Sequence, residues 1–194
     1  MDIDEKLNKI EKVIKSESFR ENKGLGNDIP YYIFDYNPIY EMKVRKHLEF
    51  LKDKFDRNLG SPIKIKEFDL YDITIKILKN EGYLGEVFKL EERKGRDKTQ
   101  NAINKMLKIS SEDSNLIVNE IKENVSKDSV VFITGVGKIY PIIRSHDVLN
   151  NLHHHIDEIP VVLFFPGNYS GDELELFKTI KDNNYYRAFP LIIE

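Results

Sequence analysis

An α/β fold, with a mainly parallel five-stranded sheet and helices on both faces, follows from three observations in this 194-residue chain. Short apolar runs at Tyr31-Tyr-Ile-Phe-Asp35, Val130 to Thr134 and Ile159 to Phe165 have the length of strands. The segments between them place apolar residues every three or four positions, as amphipathic helices do. The run Ile159-Pro-Val-Val-Leu-Phe-Phe165 is apolar on both alternating faces, which marks a strand buried at the centre of a parallel sheet.

The elements follow in order. Ile3, Leu7, Ile10 and Val13 trace an amphipathic first helix, and Gly24-Leu25-Gly26 makes a turn into the first strand. After that strand Asn37 can cap a helix and Pro38 can occupy its first turn, where a missing N–H costs nothing. Tyr40, Val44, Leu48, Leu51 and Phe55 then line one helical face, and Gly60-Ser-Pro62 ends the unit. Ile63 to Phe68 alternates as a second strand. Asp69 or Asp72 can cap the next helix, which carries Ile73, Ile77 and Leu78 and stops at Gly82. Residues 84–126 contain helical patterns only, so they read as a helical insertion in a crossover. Such excursions are where a shared fold acquires its particular partner. A helix with Val148, Leu149, Leu152 and Ile156 precedes the central strand. Ser170 and Glu173 form a possible capping box for a last helix with Leu174, Phe177 and Ile180, and Tyr185 to Ile193 supplies a fifth strand, ended or held at an edge by Pro190. The chain is expected to be one α/β domain over 1–194, with an N-terminal helix and loop over 1–28 and the insertion at 84–126.

Composition narrows the function classes. With 40% hydrophobic and 32% charged residues the chain reads as a soluble globular protein, and no apolar run approaches the ~20 residues of a membrane helix. The N-terminus, MDIDEKLNK, is charged and carries no export core, so a cytoplasmic location is expected. The absence of cysteine excludes thiol catalysis and thiolate metal sites. A net charge of −3 argues against a large nucleic-acid surface, and the basic run Arg93 to Lys98 is interrupted by an acid, as in a solvated loop.

Four strand ends carry polar or glycine-rich residues, and ligands of open α/β sheets bind at such ends. They are Asp35-Tyr36, Asp69, Thr134-Gly135-Val-Gly137 and Asn168-Tyr169. The segment TGVGK imitates a phosphate loop but fails on count. The motif needs a glycine five positions before Gly137, where Phe132 stands, and a hydroxyl after Lys138, where Ile139 stands. The first strand, where a RecA-like fold carries its phosphate loop, continues as FDYNPIYE without glycine or lysine. The expected fold is therefore a degenerate RecA-like, P-loop-NTPase-like one, with no cofactor. Gly135 and Gly137 read first as a tight turn with positive φ or a close helix approach, and second as a ligand contact. Arg144 and His146 admit an anion clamp and a general base. They also admit a structural reading in which Ser145 caps the helix and both bind adjacent loops. His153-His154-His155 cannot converge on one ion from consecutive helical positions, so no metal site is assigned and a solvated helix end is expected. Tyr185, Tyr186 and Arg187 are either edge and core residues or an exposed strip.

The phrases ENKGLGND at 21–28, YYIFDYNP, TGVGKIYPIIRSHDVLNNL at 134–152, IPVVLFFPGNYSG at 159–171 and DNNYYRAFPLI resemble the BrxB family of BREX bacteriophage-exclusion systems. That resemblance spans nearly the whole chain. It implies a cytoplasmic component of a multi-gene phage-defence island, whose companions are a methyltransferase, a large ATPase and a phosphatase-like PglZ protein. It supplies no catalytic residues. The expected function is a non-enzymatic adaptor binding other BREX components, the PglZ-like protein first. The alternative is a small-ligand or nucleotide-binding, even hydrolytic, module built on the strand ends. Oligomeric state is left open.

Overall fold

The computed structural model describes residues 1–20, 30–58, 63–182 and 188–193. The first helix, α1 (Ile3–Lys15), begins at Asp2, whose carboxylate accepts the Ile3 N–H, and it buries Ile3, Leu7, Ile10 and Ile14. A single turn, α2 (Glu17–Arg20), follows. Strand β1 (Tyr31–Tyr36) leads into a 3₁₀ turn over Pro38–Tyr40, where the Asn37 side chain accepts the Ile39 N–H. Helix α3 (Glu41–Arg57) then buries Val44, Leu48, Leu51 and Phe55, the stripe its sequence spacing requires. Strand β2 (Lys64–Asp69) ends on the residue that caps α4 (Leu70–Asn80).

Helices α5 (Leu84–Lys94), α6 (Arg96–Met106) and α7 (Leu116–Glu123) make up the long crossover to β3 (Ser129–Thr134). The short α8 (Val136–Ile139) and α9 (Ser145–His153) return the chain to β4 (Val161–Tyr169). Three short strands complete the chain: β5 (Leu174–Leu176), β6 (Ile180–Asp182) and β7 (Phe189–Pro190).

The main sheet runs β2-β3-β4-β1-β7, and every neighbouring pair along it is parallel. Its centre is where the most apolar sequences fall: all of β3 and β4 as far as Gly167 are buried. Edge strand β2 exposes Lys64 and Lys66, charges that discourage pairing with another chain. Alternation along β4 divides the core. Val162 and Phe164 face α1 and α3, together with Phe34 and Phe132, while Val161, Leu163 and Phe165 face α4, α7 and α9. The Phe34–Phe164 and Phe132–Phe164 ring centroids lie 5.4 and 4.9 Å apart, the first pair tilted and the second edge-on.

Three sequence expectations are corrected. The last predicted helix is the hairpin β5–β6, which pairs antiparallel with the end of β4 and takes the whole sheet to seven strands rather than five. Leu174 and Leu176 alternate inward, and Phe177 and Lys178 turn the chain at φ 55° and 59°. Ser170 and Glu173 do meet, through the Glu173 N–H to Ser170 Oγ at 3.1 Å, but they close the turn into β5. Ser145 is not the cap of α9: Arg144 holds that position without a side-chain bond, and Ser145 is the buried first residue. His153 is not solvated either, since its ring packs edge-on to Tyr31 at 6.0 Å with a buried Nε2. Pro190 lies on the edge strand, pairing with Ile33. The turns expected around Gly24 and Gly60, and residues Tyr185 to Arg187, fall outside the described residues.

Candidate functional site

The carboxyl ends of the parallel strands form one rim, and the predicted site residues occupy it unevenly. Asp35, at the end of β1, is a junction. Its Oδ1 and its carbonyl oxygen each accept from Lys6 Nζ of α1 at 2.6 Å, and its Oδ2 accepts the Tyr169 N–H at 3.3 Å. The Tyr169 hydroxyl reaches the Gly171 and Ala188 carbonyls at 2.6 and 2.7 Å, so it ties the end of β4 to the approach to β7. Tyr36 is buried and donates to Glu41 at 2.5 Å, while Glu41 pairs with Arg45 at 2.7 Å. Burial, reinforced by the Glu41 carboxylate, pushes the Tyr36 phenol far above its usual range, which keeps it a neutral donor.

The glycine turn after β3 is filled by its neighbours. Gly135 stands in the left-handed region at φ 75°, and a Cβ there would fall 2.3 Å from Asp69 Oδ1. Asp69 can approach so closely because it accepts the Tyr71 and Asp72 N–H groups at 3.0 and 3.1 Å as the cap of α4. A Cβ on Gly137 would fall 2.9 Å from the Phe177 ring of the hairpin. Lys138, the lysine of TGVGK, is held by Asp69 at 2.6 Å and Asp72 at 3.3 Å. Burial works against its charge, yet the hydrogen bond and field of Asp69 prevail and hold the ammonium above its ordinary pKa. The positive-φ and close-approach readings of this turn thus have physical counterparts in Asp69 and Phe177.

The rim holds a polar cleft of about 460 Å³ between α3, α4 and the ends of β2 and β3. Inside it the Thr134 hydroxyl donates to Glu67 at 2.9 Å, and Lys52 pairs with the other Glu67 oxygen. Glu67, Lys52 and Arg45 did not stand out in the sequence. Glu67 sits in an alternating strand like any surface acid, and only the parallel register of β2 against β3 brings it beside Thr134. The other predicted residues lie apart. Asn168 is exposed and donates to Glu175 at 3.3 Å. Arg144 lines a separate small cavity of about 80 Å³ with Tyr140, Phe165 and Lys181. His146 Nε2 lies 2.8 Å from Asp147, its neighbour on the same helix. Chemically, the rim offers carboxylates and cations that already neutralise one another. Among the described residues, no group of three or more His, Asp or Glu side chains is placed to hold a metal ion.

The family model described as "BREX protein BrxB" matches residues 66–191. A "BREX protein BrxB" of Bacillus cereus (strain H3081.97) is 50% identical over 190 residues, covering 98% of this chain and 97% of the relative. The chain belongs to the BrxB family. Its members are BREX proteins, and membership places the chain in a multi-protein phage-defence system. A second BrxB, from Escherichia coli O9:H4 (strain HS), is 29% identical over 187 residues, 96% of this chain and 90% of that relative. The matched segment 66–191 takes in the Asp69–Gly135–Lys138 turn and the hairpin against it, whereas Asp35 and Tyr36 precede it. No solved structure matches the chain. Among the described residues no helix is long and apolar enough to cross a membrane.

Proposed function

We propose that this BrxB-family chain is a non-enzymatic adaptor, an assembly subunit that serves BREX defence in the cytoplasm by binding other BREX proteins. Its scaffold reads as a degenerate P-loop-like sheet in which β1 ends on Asp35 and Tyr36 instead of a phosphate loop. The observation that carries the reading is the occupancy of the glycine turn. Lys138 is spent on Asp69 and Asp72, and the space beside Gly135 and Gly137 belongs to Asp69 and Phe177. A turn so filled has neither a free lysine nor open amide space for a phosphate.

The test is capture of purified BREX components by the tagged full chain at micromolar concentration, with the PglZ-like protein as the first bait. Recovery of none of them overturns the adaptor role. The competing reading, a small-ligand or nucleotide module, rests on the polar cleft around Glu67 and Thr134. A ligand supplied at 100 times its dissociation constant would stabilise the chain by roughly 2.7 kcal/mol. The adaptor reading expects no thermal shift with ATP, GTP or cyclic nucleotides. A shift abolished by Glu67→Gln would favour the competing one.

A further inference from the structure

Helix α9 begins without an acceptor for its first N–H groups. The cap position belongs to Arg144, whose backbone is extended and whose guanidinium carries donors only, so its side chain cannot close the helix end. Ser145, the first helical residue, is 7% exposed. Among the described residues neither its hydroxyl nor its amide has a hydrogen-bond partner. Polar groups buried to that extent are ordinarily satisfied. Both residues line the cavity of about 80 Å³ beside α9, whose walls include the buried Ile143, Phe165 and Leu176. Its exposed members are Arg144 and Lys181, two cations without an ion-pair partner among the described residues. The nearest carboxylate in sequence, Asp147, is engaged by His146 Nε2 at 2.8 Å.

These features select one ligand chemistry. Two cations of the same sign, the positive end of a helix, and a hydroxyl and an amide without acceptors all favour an anion. The apolar walls narrow the class further. Phosphate or sulfate presents oxygen on every side, and would bury some of it unpaired against Phe165 and Leu176. A carboxylate has its oxygens on one side and carbon on the other, which matches a cavity that is cationic on one side and apolar on the other. The volume holds on the order of six waters, and so an acid of about six heavy atoms.

We propose that this cavity binds a small aliphatic carboxylate. Arg144 and Lys181 hold its charge, the Ser145 hydroxyl and amide donate to its oxygens, and its alkyl group rests on Ile143, Phe165 and Leu176. Lys138 and Asp69 of the glycine turn do not line the cavity, so this site and the adaptor reading can fail separately. Capture of BREX proteins tests the one, and carboxylate binding tests the other. The same group is offered by a free short-chain acid such as isobutyrate and by the C-terminal alanine of a protein, where the peptide nitrogen replaces one isobutyrate methyl.

The test is a saturation-transfer NMR titration of the full chain with isobutyrate. Six heavy atoms, at an efficiency between those of the smallest and of drug-sized ligands, give a Kd on the order of 1 mM. Isobutyramide lacks the charge and inorganic phosphate lacks the apolar side, so each should bind at least about tenfold more weakly. Arg144→Gln and Lys181→Gln replace exposed side chains, so the melting temperature should hold while isobutyrate affinity falls, by about tenfold for Arg144→Gln. A peptide ending in a free alanine carboxylate, run beside its C-terminal amide, separates the two sources. Tighter binding by the free-ended peptide than by isobutyrate assigns the site to a protein terminus, and weaker binding assigns it to a free acid. Binding by neither isobutyrate nor the peptide at about 20 mM overturns the proposal. So does equal binding of isobutyramide or phosphate, and so does an affinity that both Arg144→Gln and Lys181→Gln leave unchanged.

Discussion

Gly135 carries two constraints at once: a positive φ and a neighbouring carboxylate where its Cβ would be. Alanine there takes on the left-handed strain and must also displace Asp69 from the cap of α4. Gly135→Ala should therefore lower stability by about 1–3 kcal/mol, read from denaturant midpoints at unchanged m. An effect within a few tenths would mean that the turn relaxes freely. His47, between α1 and α3, makes a pH prediction. Its Nε2 is buried without a partner, and burial lowers its pKa, although a hydrogen bond to the Leu7 backbone pulls the other way. The folded state thus prefers neutral imidazole, and below the unfolded value of about 6.5 the unfolded chain binds the extra proton. Stability from this group is complete above that value and is lost as pH falls through it toward the lower folded pKa. The melting temperature should drop as pH falls below about 6.5, and His47→Gln should flatten the drop. Equal slopes in the two proteins would dismiss His47 as the source.

At the scale of elements, the hairpin β5–β6 is where the sequence misled. Leu174, Phe177 and Ile180 match helical spacing, and Ser170 with Glu173 matches a capping box, so local pattern alone favours a helix. Leu174 and Leu176 match period two equally well over so few residues. The decision comes from the free end of β4, whose Asn168 and Tyr169 need a pairing partner. Lys178→Gly separates the two structures by sign. At φ 59° glycine relieves about 1–2 kcal/mol of left-handed strain, partly offset by greater freedom of the unfolded chain, so a gain of up to about 1 kcal/mol is expected. In a helix interior the same change would cost close to 1 kcal/mol. The parallel strands and α1, α3 and α4 were legible because their patterns are long, and Asp69 was recognisable as a cap. The contents of the polar cleft were not, because Glu67, Lys52 and Thr134 come from three elements whose meeting is decided by sheet register. Of the predicted site residues, Asp35 with Tyr169 and Thr134 with Gly135 converge on the rim, whereas Arg144 lies in its own small cavity.

For the whole molecule, the central question is how two apolar layers share one sheet. The layer under α1 and α3 includes Leu48, Phe132 and Phe164, and the layer under α4, α7 and α9 includes Leu107, Ile117, Val131 and Leu163. The strands belong to both, alternating side chains into one layer and then the other, so loss of packing on one face removes support from the opposite face. That coupling is what makes a single cooperative domain over 1–194 the expected behaviour, with the insertion folding as part of it. Leu48 is 1% exposed and Leu107 fully buried, so truncation of either leaves a cavity that close packing fills only in part. Leu48→Ala and Leu107→Ala should each cost about 2–5 kcal/mol, and each should shift one and the same unfolding transition, with tryptophan-free tyrosine fluorescence and far-ultraviolet dichroism coinciding. A Leu107→Ala protein that melts in two steps, losing the helices of residues 84–123 before the sheet, would show the insertion to be a separate unit and would dissolve the single-domain reading.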